Sequence, residues 1–155
     1  MLMNLVIGVL TMCLCLVLQA LLLASAMHYY ARHKDWLNSP RLISSLMVII
    51  GVMMLLLIGI FSQVAIWAAL FVWLGEFPTF AEAFYHSAVN FATLGYGDIV
   101  MSDSHKLLGP LQAINGVLMI GVSTAALMSA FQDAISKVML VRKRAHEPSR
   151  QRVDG

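Results

Sequence analysis

The chain has 155 residues, of which 60% are hydrophobic and 12% charged, with a formal net charge of +2 and a mean hydropathy of +0.82. That balance excludes an ordinary soluble domain and a highly charged disordered chain, and points to a membrane protein. The length accommodates one domain.

Three runs free of charge organise the chain: Met1 to Met27, Leu42 to Gly75 and Leu107 to Gln132. A hydrocarbon core of about 30 Å needs about 20 helical residues, so each run is long enough to span. The first is expected to form an N-terminal transmembrane helix over 1–30. A reading of Met1 to Ala26 as a signal peptide, suggested by Ala24-Ser25-Ala26, is opposed by the lack of Lys or Arg ahead of the apolar stretch. Cys13 and Cys15 lie two residues apart, on different faces of a helix, which argues against a shared metal or disulfide and for apolar roles facing lipid or another helix.

A basic loop over 31–41 follows, carrying Arg32, Lys34 and Arg41, and the tail over 141–155 holds Arg142, Lys143, Arg144, Arg150 and Arg152. The stretch from Glu76 to Lys106 has only Lys106 as a base against Glu76, Glu82, Asp98 and Asp103. By the positive-inside rule the loop and tail are expected in the cytoplasm, with the N-terminus and the acidic segment outside. The cluster Arg142-Lys143-Arg144 either anchors this topology or attracts anionic lipid, at about 1 kcal/mol per charge.

The acidic segment opens with Pro78-Thr79-Phe80-Ala81-Glu82, in which Thr79 is an N-cap and Glu82 its capping-box partner. The signal predicts a helix over 80–92, about 20 Å long, which reaches the middle of a bilayer and stops. The chain then runs through Ala92-Thr93-Leu94-Gly95-Tyr96-Gly97-Asp98. Gly95 and Gly97 admit left-handed backbone angles, which let successive carbonyls face one side, and irregular backbone at membrane depth is tolerated only inside protein or beside a watery cavity.

Thr93 to Asp98 resembles the selectivity filter of potassium channels, and the order of half-helix, filter and inner helix is similar to that family's pore domain. The resemblance covers about residues 42–140 and implies an all-α membrane protein. Its parts would be an outer helix 42–74, a pore helix 80–92, a filter 93–98 and an inner helix 107–140, repeated four times around an axis as a homotetramer in a cell membrane, the bacterial inner membrane by expectation. It further implies K+ as the permeant ion, bound by the Thr93 hydroxyl and the carbonyls of Thr93, Leu94, Gly95 and Tyr96, with no cofactor. Leu94 and Tyr96 would turn their side chains against the pore helix, while Tyr85, His86 and Val89 would support the filter. His86 stands where the family often places a Trp that bonds the filter Asp, so the expectation is either a His86–Asp98 hydrogen bond with sensitivity to external pH or a histidine simply packed behind Tyr96. The chain departs from the family pattern at Ala92, Leu94, Met101 and Val89. The reading is a potassium-selective channel; a weakly selective cation channel and a non-conducting channel-like subunit are the alternatives.

On the inner helix, Gly116 and Gly121 serve either as a hinge or as close-packing sites. Val117, Ile120, Thr124 and Met128 share one face and are expected to line a cavity. Phe131 lies one turn beyond, as a hydrophobic constriction or a packing aromatic. No helix carries Arg or Lys at every third position, so no voltage-sensor helix is expected, and no His cluster of the H-E-x-x-H kind suggests an enzyme.

Overall fold

The computed structural model describes residues 2–33 and 42–146. The structure is helical: α1 (Leu2–Arg32), α2 (Leu42–Trp73), α3 (Phe80–Phe91) and α4 (Leu108–His146). Three of the four are long and apolar enough to cross a membrane, and the short α3 is not among them. The inner helix begins one residue later than the sequence suggests and continues past position 140 to His146. The side chains of Arg142, Lys143 and Arg144, residues 34–41 of the basic loop and residues 147–155 lie outside the described residues.

The helix ends follow local chemistry. Thr79 is the N-cap of α3, extended at φ −130° and ψ 149°, and its hydroxyl accepts the Glu82 N–H. α2 ends at Trp73, and Gly75 turns the chain at φ 75°, a left-handed angle that suits glycine.

The core lies where α2, α3 and α4 meet. Trp67 and Phe71 of α2, Phe91 of α3, and Leu108 and Met119 of α4 are fully or almost fully buried together with Cys15 of α1. Cys15 therefore faces the other helices, and Cys13 is exposed. α3 is pinned from both sides by Ser87, whose hydroxyl donates to the Val64 carbonyl at 2.8 Å and whose carbonyl accepts from Gln112 Nε2 at 3.1 Å. α1 packs along both α2 and α4. Gly51 and Gly59 of α2 give it close approach, lying against Tyr29 and Leu22 respectively.

Candidate functional site

The site is built from the C-terminus of α3 onward. The Leu94 N–H bonds the Val89 carbonyl at 2.9 Å and the Thr93 N–H bonds the Asn90 carbonyl at 2.9 Å. With Ala92 as C-cap, these two bonds form a Schellman motif, which satisfies carbonyls that a helix end leaves orphaned. The motif needs a left-handed residue next, normally Gly. Here it is Thr93, at φ 60° and the one non-glycine with positive φ among the described residues. A β-branched residue in that conformation is strained by roughly 1–2 kcal/mol, and such strain gathers at functional positions. Thr93→Gly is therefore expected to raise thermal stability slightly while removing the hydroxyl. Heat-induced unfolding of the purified protein, beside a flux measurement, separates the two effects. Lowered stability would contradict the strain.

Left-handed angles recur at Gly95 (φ 58°) and Gly97 (φ 73°), so positions 93, 95 and 97 alternate with 94 and 96. A Cβ on either glycine would meet no atom within 4 Å, so backbone angle and not space selects glycine there. The sequence pointed to the two glycines; the third member, Thr93, was hidden because threonine rarely takes this angle.

Leu94 and Tyr96 are 55% and 65% exposed on the single chain.

The predicted His86–Asp98 bond is not formed. His86 Nδ1 bonds the Ile99 carbonyl at 2.9 Å, and its Nε2 lies 2.8 Å from the Asn90 amide nitrogen. The Asp98 carboxylate instead accepts from the Tyr85 hydroxyl at 2.7 Å. Adjacent residues on a helix diverge by about 100°, so a shift of one position redirects the partner. His86 points inward, edge-on to Phe71 with centroids 5.7 Å apart and 4.9 Å from Phe77, while Tyr85 stays outside. The two bonds define a neutral imidazole with the proton on Nδ1, because Nε2 accepts from an amide. Burial lowers the pKa of His86 below 6.5, outweighing the Ile99 carbonyl and the more distant charges of Asp98 and Glu76. The Tyr85 bond lowers the pKa of exposed Asp98. With no bond to Asp98 and a lowered pKa, His86 does not fit the expected pH sensor, and pH sensing through it is withdrawn.

A second tie was not anticipated. Glu76, just past α2, accepts from the Ser102 N–H at 2.7 Å, the Ser102 hydroxyl at 2.6 Å and His105 Nδ1 at 2.5 Å. It thereby binds the loop that leaves Asp98. Burial would raise its pKa, but the bonds from Ser102 and His105 outweigh that and lower it from 4.5. Because the folded value is depressed, this stabilisation is complete above pH 4.5 and is lost as pH falls through the folded value. Glu76→Gln should cost about 1–3 kcal/mol at pH 7 and flatten the acid limb of a stability-versus-pH curve. An unchanged acid limb would rule the tie out as its source.

On α4, Gly116 and Gly121 differ. A Cβ on Gly116 would lie 2.0 Å from the Phe91 carbonyl oxygen, so Gly116 is a packing site where α3 ends on α4. Gly121 has no atom within 4 Å of such a Cβ. Val117, Ile120, Thr124 and Met128 are exposed on the single chain, and the Thr124 hydroxyl is bonded back to the Ile120 carbonyl at 2.8 Å. Phe131 packs against the cluster of Val48, Ile49 and Ala134, as a packing aromatic.

An ion-channel family model matches residues 59–133, from the middle of α2 through α3 and the Thr93–Asp98 segment to Asp133 in α4. A stretch of 57 residues is 39% identical to potassium voltage-gated channel subfamily A member 2 of Xenopus laevis, of Mus musculus and of Oryctolagus cuniculus. That stretch is 36% of this chain and 11% of each relative, so the chain spans only a small part of the length of the curated proteins it matches. No solved structure gives a significant match. The match follows the same helices and turn that the geometry singles out, so the chain, a multi-pass membrane protein by its three long apolar helices, is similar over that span to the ion-channel family.

Proposed function

We propose that the chain assembles as a homotetramer and conducts K+ passively through a filter made of Thr93 to Asp98. The observation that carries this reading is the alternation of left-handed residues at 93, 95 and 97 directly after the capped end of a short helix. Alternating handedness turns successive peptide planes the same way, so that carbonyls of Thr93 to Tyr96 face one side and replace an ion's hydration shell. α3 is then a re-entrant pore helix, whose C-terminal dipole favours a cation in the cavity beyond it. Four copies would cover Leu94 and Tyr96, which are exposed on the single chain. They would also turn the Val117, Ile120, Thr124 and Met128 face toward the axis.

The basic loop and tail favour a cytoplasmic C-terminus, with the Glu76–Lys106 segment outside. The Tyr85–Asp98 and Glu76–Ser102 bonds then hold the outer mouth. Purified protein in liposomes, with cation uptake measured in K+ and in Na+, tests the reading. Uptake of K+ well above Na+ is expected. Equal uptake of both ions would refute selectivity, and none of either would refute conduction.

A further inference from the structure

α1 has no counterpart in a pore built of an outer helix, a pore helix and an inner helix, yet it is joined to α4 at both ends and in the middle. Near its start, Asn4 Nδ2 donates to the Ser104 carbonyl just ahead of α4, and Gly8 seats Leu108 and Leu111. In the middle, Gln19 Nε2 donates to the Ser123 hydroxyl at 2.9 Å, while Gln19 Oε1 accepts from Gln63 Nε2 of α2 at 2.8 Å. Near its end, the Tyr30 hydroxyl donates to Asp133 at 2.7 Å. From Asn4 to Tyr30 a helix rises about 39 Å, close to the full thickness of a bilayer with its headgroups.

These ties straddle Gly121. Asn4 and Gly8 hold the part of α4 before it, and Gln19 and Tyr30 hold the part after it. Gly121 is the glycine of α4 with open space where a side chain would be, whereas Gly116 is locked against Phe91. A bend of α4 is therefore cheapest at Gly121, and it would carry Ser123 and Asp133 away from α1. Gln19 and Ser123 are 2% and 6% exposed, inside spans where no water replaces a broken bond.

We infer that α1 is a splint across Gly121, with Gln19 and Tyr30 as positioning residues that hold the lower half of α4 straight and so set the balance between closed and open pore. The inference rests on the conduction reading for its link to gating, but not for the splint itself.

Single-channel recording of wild type, Ser123→Ala and Tyr30→Phe in planar bilayers tests the gating role. Ser123→Ala should shift the open-to-closed ratio by about 3- to 20-fold, the equivalent of one intramembrane hydrogen bond, and Tyr30→Phe, whose bond is exposed, should shift it less but in the same direction. Unitary conductance and the K+ over Na+ ratio should stay unchanged, and in a Gly121→Ala background the shifts should shrink. Unchanged ratios in both variants, or altered conductance in place of altered gating, would overturn the role. Deuterium exchange in nanodiscs tests the splint even if no current is found. Exchange should rise over residues 121–136 and not over 108–120 in Ser123→Ala and Tyr30→Phe; no rise, or a uniform one, would overturn it.

Discussion

Gly116→Ala is expected to be the most destabilising single-methyl change in the pore segment. Its Cβ would stand 2.0 Å from the Phe91 oxygen, 2.8 Å from the Phe91 carbonyl carbon and 3.0 Å from its Cα. All three are backbone atoms, so no rotamer change relieves the clash, and α3 must move away from α4. Overpacking of this kind costs roughly 3 kcal/mol, more than the gain of about 1 kcal/mol that alanine brings to a helix. The net cost of about 2 kcal/mol should lower the melting temperature of the detergent-purified protein by about 4–8 °C. Gly121→Ala is the matched control, since the added methyl meets open space and should be neutral or stabilising. Equal melting temperatures for the two variants would show that α3 does not rest on Gly116. The movement also bears on the proposed function, because Phe91 lies two residues before Thr93, and any retreat of α3 carries the Thr93–Asp98 segment with it.

Gly95→Ala should abolish K+ uptake in liposomes, or cut it at least tenfold, while the protein stays folded. The Cβ would touch nothing, but φ 58° disfavours an L side chain by roughly 1–2 kcal/mol, a penalty repeated in every subunit of the proposed assembly. The cheapest escape is a rotated peptide plane, which takes a carbonyl out of the ion's path. Gly75→Ala supplies the control, because Gly75 has a similar angle, φ 75°, and equally open space but lies at the end of α2. It bears the same backbone cost without touching the conduction path, so its uptake should match wild type. Full uptake in Gly95→Ala would remove the filter assignment, and equal losses in both variants would reduce the effect to general destabilisation.

The Tyr85–Asp98 and Glu76–Ser102 ties divide the work of holding the proposed outer mouth. Tyr85 to Asp98 is an exposed bond between hydroxyl and carboxylate, competing with water. Glu76, whose side chain is 5% exposed, is more sheltered and gathers three donors. Of the two, Glu76 is therefore expected to matter more for holding the loop after Asp98.

Charge-free length made the three long helices legible in the sequence, because a bilayer's thickness imposes a minimum run on any span. The Thr79 cap and the Gly95 and Gly97 positions were equally legible, since N-capping and left-handed backbone are local demands met by local residue types. Tertiary structure alone decided the partners. Whether Tyr85 or His86 reaches Asp98 depends on which face of α3 turns toward Phe71 and Phe77, and neighbouring residues carry the same local signals. The separate fates of Gly116 and Gly121 depend on where Phe91 comes to rest. The Gln19, Gln63 and Ser123 node was invisible in a run read only for its lack of charge, because an uncharged polar residue in a span declares its partner only when the helices pack. The left-handed Thr93 ran against its own propensity, and it took the Schellman bonds of α3 to reveal it.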